Sequence, residues 1–220
     1  MLRRLFLPLF CLIFSLPAEA VQLTQRGTVI SLSGRIENGD QYLIKDFLAT
    51  PSGRQARIVY LDSPGGFVQA AREMAREIRA AGLTTVVDAA RARCHSACTG
   101  LFTGGVRRHY INSGRLQDGE AGLKPGLAFH DGSSINQRGQ RDFSGAGTAG
   151  MINTYYEMGV GAAASLVQKA SFKQLYYISG ETALSLGIAT SLAAPRGFAA
   201  PGKRWSLKTR AHAAEKRHAA

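Results

Sequence analysis

Strand-like runs alternate with helical stretches in the first half of this chain, each closed by glycine or proline, and that order constrains the fold more than any single motif. Residues 28–33 (TVISLS) are a β-branched run ending at Gly34. Asn38-Gly39-Asp40 reads as a turn with a helix cap, and residues 41–49 as a helix stopped by Pro51 and Gly53. A nearly continuous apolar strand follows at 57–61 (RIVYL), bounded by Asp62-Ser63-Pro64-Gly65-Gly66. Residues 67–81 place Val68, Ala71, Met74, Ala75 and Ile78 on one helical face with charges opposite, and Gly82 closes the helix. Residues 83–87 (LTTVV) are another β-branched run. The order β-α-β-α-β implies an α/β fold with a mostly parallel sheet covered by helices. Sites in such sheets form at the carboxyl ends of strands. Asp62-Ser63-Pro64-Gly65-Gly66 and Cys94-His95-Ser96-Ala97-Cys98 stand at such ends.

The second half is more irregular. Residues 116–126 form a polar, glycine-bearing segment, and residues 127–130 (LAFH) a short strand ending in His130. Residues 131–150, rich in Gly, Ser, Gln and Arg, read as a mobile loop. Residues 151–170 read as the longest helix, and no internal repeat is visible. A length of 220 residues suits one compact domain with extensions. The expected organisation is a leader over 1–20, a domain over 21–194 and a basic tail over 195–220.

The leader has Arg3 and Arg4, then an apolar run over 5–16, then Ala18-Glu19-Ala20. That is the layout of a cleaved secretory signal peptide. The run is too short to cross a hydrocarbon core of about 30 Å as a helix, and bulky Phe10 before Cys11 is a poor lipidation context. The expected location is therefore periplasmic or secreted, in an oxidising compartment where Cys94 and Cys98 are the remaining cysteines. The tail carries Arg196, Lys203, Arg204, Lys208, Arg210, Lys216 and Arg217 against the single acid Glu215. It is suited either to touching an anionic surface or to keeping the protein soluble.

The stretch RCHSACTGLFTGG (93–105) carries the chemistry. A structural zinc site needs four ligands, commonly from separated pairs, and no second cysteine pair exists beside Cys94 and Cys98. C-H-S-A-C does not fit the haem attachment pattern either. A spacing of four permits a Cys94–Cys98 disulfide, while small buried thiols are the alternative. As a nucleophile, Ser96 needs a base and backbone N–H donors for an oxyanion. It opens an apolar helix, the Gly65-Gly66 pair ends a neighbouring strand, and His130 ends a later one, so all can reach one sheet edge.

S-P-G-G at 63–66, C-H-S-A-C-T-G-L-F-T-G-G at 94–105, G-L-A-F-H at 126–130 and Y-I-S-G-E-T-A-L-S-L-G-I-A-T at 177–190 resemble the Clp protease proteolytic-subunit family. That family lies within the Clp/crotonase superfamily, and secreted Clp-like proteins with C-x-S-A-C at the turn are the nearest in pattern. The resemblance covers residues 28 to 192. It implies the ββα-superhelix of the Clp/crotonase type, Ser96 as nucleophile, His130 as general base, and the N–H groups of Gly66 and Ala97 as oxyanion hole. It also implies peptide or unfolded-protein substrates and a homo-oligomer. No nucleotide-binding motif is visible, and no cofactor or metal is expected.

Two departures stand out. Where the family has its aspartate, this sequence reads Lys173-Gln174-Leu175-Tyr176-Tyr177. The segment 116–126 contains an insertion between the serine and histidine strands, expected to reshape the substrate groove or an oligomer contact. The leading expectation is a secreted serine hydrolase, most naturally a peptidase. The alternatives are a degenerate Clp-like scaffold that binds peptide or protein without turnover, a crotonase-type acyl-CoA enzyme, and a Ser–Lys variant in which Lys124 is the lysine between Ser96 and His130.

Overall fold

The computed structural model describes residues 21–119 and 122–201. The expected signal peptide and the basic stretch from residue 202 onward lie outside the described residues. Strand β1 (Gln22–Arg26) turns through Gly27 and pairs antiparallel with β2 (Val29–Ser33). Strands β3 (Ile58–Asp62), β4 (Thr84–Asp88) and β6 (Arg107–Ile111) then add in parallel, in the order β1-β2-β3-β4-β6. Helices α1 (Asp40–Ala49) and α2 (Val68–Ala80) supply the connections from β2 to β3 and from β3 to β4. A second sheet, ordered β10-β7-β5, consists of β5 (Arg93–His95), its parallel neighbour β7 (Gly126–Phe129) and antiparallel β10 (Tyr176–Tyr177).

The apolar runs are continuous because both faces of the larger sheet are covered. Ile30, Leu32, Val59, Leu61 and Val87 point into the main core, where they meet Ala71, Met74, Ala75 and Ile78 of α2 and Leu101 and Phe102 of α3 (Ala97–Thr103). Alternate residues Val29, Ile58, Tyr60 and Val86 build a smaller cluster on the other face. Phe198 and Ala200 close that cluster, with the Phe198 ring stacked on Tyr60 at 5.9 Å between centroids. These two residues fall within the expected tail, so the polypeptide stays packed on the sheet beyond Pro195.

Helix α2 ends as expected. Gly82, at φ 65°, lets its N–H reach the Arg79 carbonyl and the Leu83 N–H reach that of Ile78. Three expectations need correction. The α1 cap is not a side chain: Gly39 holds the cap position, and Asp40 instead accepts from the Glu37 N–H. Residues 131–150 are not a mobile loop. They form a hairpin of β8 (Ser133–Ile135) and β9 (Arg141–Phe143), then the start of α4 (Gly145–Glu157). Asn136 closes the hairpin by accepting from the Arg138 and Gln140 N–H groups, and Ser144 caps α4 by accepting from the Gly147 N–H. The long helix expected over 151–170 breaks at Gly159, at φ 67°, and resumes only as the short α5 (Ala164–Val167) before α6 (Gly180–Ser185).

Candidate active site

Strand β5 brings the site together because it is held on both sides. The Ser63 N–H donates to the Arg93 carbonyl, and the His95 N–H donates to the Ser63 carbonyl. On the other side the Ser96 N–H donates to the Ala128 carbonyl, two residues before His130. One strand therefore fixes the glycine turn, the serine turn and the histidine strand end against each other. Gly66, Ser96 and His130 all line one cleft of about 520 Å3.

Ser96 sits at φ 54°, ψ −127°, between β5 and α3. A non-glycine residue in that region costs on the order of 1–3 kcal/mol and persists only where its surroundings impose it. A serine on a sharp strand-to-helix turn presents its hydroxyl outward, as at the nucleophile elbow of the α/β-hydrolases. The restraints are visible. Cys94 and Cys98 form a disulfide across the turn, with Cα atoms 5.0 Å apart and both side chains fully buried. The Ser96 carbonyl accepts from both the Thr99 N–H and the Thr99 hydroxyl. Because Thr99 spends its proton there, Tyr155 donates its own hydroxyl proton to Thr99 Oγ1 at 2.5 Å.

The glycine turn comes as close as backbone permits. A Cβ on Gly65 would lie 2.5 Å from the His95 carbonyl oxygen and 2.8 Å from Ser96 Cβ, and one on Gly66 would lie 2.0 Å from the Ile36 carbonyl oxygen. Ile36 bonds to the residues flanking Gly66, donating to the Gly65 carbonyl and accepting from the Phe67 N–H. The Gly66 N–H thus faces away from Ile36. Ala97 is the first residue of α3, where an N–H has no intrahelical acceptor. Among the described residues neither N–H donates a hydrogen bond.

His130 is buried, and its Nδ1 lies 2.5 Å from the Asp131 carbonyl oxygen. A carbonyl only accepts, so Nδ1 carries the proton and Nε2 keeps the lone pair. The carbonyl is itself held: its peptide partner, the Gly132 N–H, donates to Thr148 Oγ1, and the Asp131 N–H donates to the Ala170 carbonyl. No buried side-chain nitrogen or oxygen lacks a partner among the described residues. Nε2 makes no hydrogen bond, so it reaches the cleft. Burial is the main cause that lowers the His130 pKa from its ordinary value; the Asp131 carbonyl opposes that, and Arg141 reinforces it. Among the described residues no hydrogen bond joins Ser96 Oγ to His130 Nε2.

Sequence reasoning missed the main-chain oxygen, since a carbonyl has no residue-type signal. It also gave His95 no role. His95 is buried, lines the cleft and donates from Nε2 to the Lys124 carbonyl, with its ring edge-on to Tyr177. The insertion is pinned through that tyrosine, whose hydroxyl accepts from the Lys124 N–H, and through Asp118, which accepts from the Ser179 N–H and the Thr182 hydroxyl. Gly122 and Leu123 consequently line the cleft, so the insertion does shape the groove. Phe172 lines it too, as do Lys173, Gln174 and Leu175 of the stretch that stands where the Clp protease family has its aspartate. Among the described residues no group of three or more His, Cys, Asp or Glu is placed to hold a metal ion.

No protein-family model matches the sequence, and no relative is found among curated proteins. Solved structures do match. A serine-to-alanine mutant of the 1510-N membrane-bound stomatin-specific protease is 15% identical over 76% of this chain and 78% of its own, with a TM-score of 0.50. A lysine-to-alanine mutant of that protease, in complex with a substrate peptide, is 17% identical over 76% of this chain and 74% of its own, again with a TM-score of 0.50. A putative enoyl-CoA hydratase from Streptomyces avermitilis is 11% identical over 80% of this chain and 68% of its own, with a TM-score of 0.43. The parallel sheet, the glycine and serine turns at its strand ends and the likeness to the stomatin-specific protease together give the protein the Clp/crotonase-type fold.

Proposed function

We propose that this protein is a Clp-like serine hydrolase, acting as a peptidase on peptides or unfolded segments outside the cytoplasm. The observation that carries the reading is the pairing of a strained serine turn with a histidine whose Nδ1 is tied back, both on one cleft. Ser96 Oγ attacks the scissile carbonyl as His130 Nε2 takes its proton. The Gly66 and Ala97 N–H groups stabilise the oxyanion. The leaving amine takes the proton from His130, and water then cleaves the acyl-Ser96 ester by the same route in reverse. The reading requires the Ser96 hydroxyl and His130 Nε2 to come within hydrogen-bond reach in the substrate complex. A disulfide in the serine turn supports an oxidising location.

The serine and lysine substitutions in the stomatin-specific protease raise a Ser–Lys mechanism for comparison. Lys124 packs its Nζ 5.1 Å from the Tyr177 ring centroid and is not among the cleft-lining residues, whereas Lys173 is. Labelling with a fluorophosphonate tests the assignment. A Ser96-dependent adduct that forms at wild-type rate in Lys124→Ala and at least a hundredfold more slowly in His130→Ala is expected. A folded protein that forms no adduct would leave the scaffold reading, peptide binding without turnover, in its place.

A further inference from the structure

The cleft that holds Ser96 is lined by Arg35, Arg141 and Lys173, and among the described residues no aspartate or glutamate lines it. We propose that the Ser96 cleft selects anionic peptides, seating a substrate carboxylate between Arg35, Arg141 and Lys173. The inference rests on the hydrolase reading for the identity of the site, but not on turnover.

Two of the cations converge on one aromatic ring. The Arg141 guanidinium carbon lies 5.9 Å from the Phe172 ring centroid and Lys173 Nζ lies 5.6 Å from it, so both heads stand at the same wall of the cleft. Arg141 is also oriented from its own hairpin, through an Nε–H bond of 2.7 Å to Ser133 Oγ. That bond occupies one guanidinium donor and leaves others for a ligand. Arg35 also lines the cleft and directly precedes Ile36, the residue that grips the Gly65-Gly66 turn. Its single ion-pair partner among the described residues is Glu37 at 3.0 Å, with about half of each side chain exposed. An exposed pair of that kind contributes little and exchanges readily for another carboxylate.

The like charges work against one another in the cleft. Burial first, and the Arg35 charge second, hold the Arg141 pKa below its ordinary value. An anion between them relieves that repulsion, while a cationic substrate adds to it. A planar guanidinium also favours bidentate pairing with a carboxylate. Val68, Leu123 and Leu175 also line the cleft and offer apolar surface to an uncharged side chain. The matching ligand is thus a peptide with a carboxylate near an apolar residue. Both an acidic side chain and the carboxyl terminus of a peptide carry that group.

Binding to the full-length Ser96→Ala protein tests this without turnover. Four fluorescein-labelled peptides share an apolar core: three are amidated, with flanking Glu, Gln or Lys, and the fourth is the Gln peptide with a free terminal carboxylate. Anisotropy should show the Glu peptide binding at least tenfold tighter than the amidated Gln peptide and the Lys peptide weakest, with the preference falling as salt rises. Tighter binding of the free-carboxylate peptide instead would place a peptide terminus in the cleft. The Arg35→Gln/Arg141→Gln/Lys173→Gln variant keeps the basic stretch that ends the sequence and should lose the preference. Equal binding of all peptides, or a preference that survives in that triple variant, overturns the inference. If the wild-type protein hydrolyses peptides without regard to charge, this inference fails alone. If it hydrolyses nothing yet keeps the charge preference, the hydrolase reading fails alone.

Discussion

A neutral imidazole acts as a base only through the ring nitrogen that carries no proton, so the group on the other nitrogen decides which tautomer is present. In His130 that group is the Asp131 carbonyl, held by the Gly132 N–H bond to Thr148 and by the Asp131 N–H bond to Ala170. A carbonyl orients the ring as an aspartate would, but in the proposed mechanism it contributes less to stabilising the imidazolium formed during attack. The Asp131 carboxylate is a lesser influence on His130 than burial and the carbonyl bond. Asp131→Asn should therefore keep kcat within about threefold of wild type. Thr148→Val removes the support of the carbonyl and should lower kcat about tenfold with KM nearly unchanged, in line with the contribution of about one to two kcal/mol expected from one hydrogen bond. Steady-state kinetics of both variants on one peptide substrate check this, and equal losses would give the orienting role to the carboxylate instead.

Elements rather than single side chains hold the serine turn. Strand β5 is tied to the end of β3 through Ser63 and to β7 through Ala128, and α3 is tied back to the turn by Thr99 and Tyr155. The Cys94–Cys98 bridge joins the strand to the helix directly across Ser96. A closed loop this short constrains the unfolded state modestly, by about 2 kcal/mol in the loop-entropy description. The Cys94→Ala/Cys98→Ala variant should lose roughly that much stability in urea unfolding and lose fluorophosphonate reactivity more steeply than stability. Reactivity that survives unchanged in the folded double variant would reduce the bridge to a stabilising staple. The same scale explains the misread loop. The signals for a hairpin and a capped helix were present at Asn136, Gly139 and Ser144, but a polar two-stranded hairpin has no apolar alternation to announce it.

Across the whole molecule, the buried imidazole of His95 sets a pH limit on folding. It is 2% exposed, and burial, as the largest cause, lowers its pKa from 6.5 to about 4. A histidine depressed in the folded state binds fewer protons there than in the unfolded state. Stability is thus fully present above pH 6.5, declines as pH falls through the window from 6.5 to about 4, and reaches its full loss below that. The depressed pKa of His130 adds to this in the same direction. The His95 share amounts to roughly 3 kcal/mol. Urea unfolding at pH 7.5 and at pH 4 should differ by at least that much, and His95→Gln should flatten the slope. An unchanged slope in that variant would move the effect to other groups.

Local pattern alone determined the strands at 57–61 and 83–87, the amphipathic α2 with its Gly82 stop, and the two strand ends where chemistry collects. These depend on side-chain periodicity and backbone freedom, which neighbouring residues carry within themselves. The motif resemblance added Ser96, His130, Gly66 and Ala97 as one set, and the fold places Gly66, Ser96 and His130 on one cleft and starts α3 at Ala97. Only the tertiary structure decided what supports them. The Tyr155–Thr99 hydrogen bond and the shared cleft of Arg35, Arg141 and Lys173 join residues far apart in the sequence, and distant Thr148 and Ala170 hold the Asp131 carbonyl against its neighbour His130. RCHSACTGLFTGG names the serine, but the direction of a carbonyl or the shared wall of a cleft is a property of packed elements. No spacing in a linear sequence encodes it.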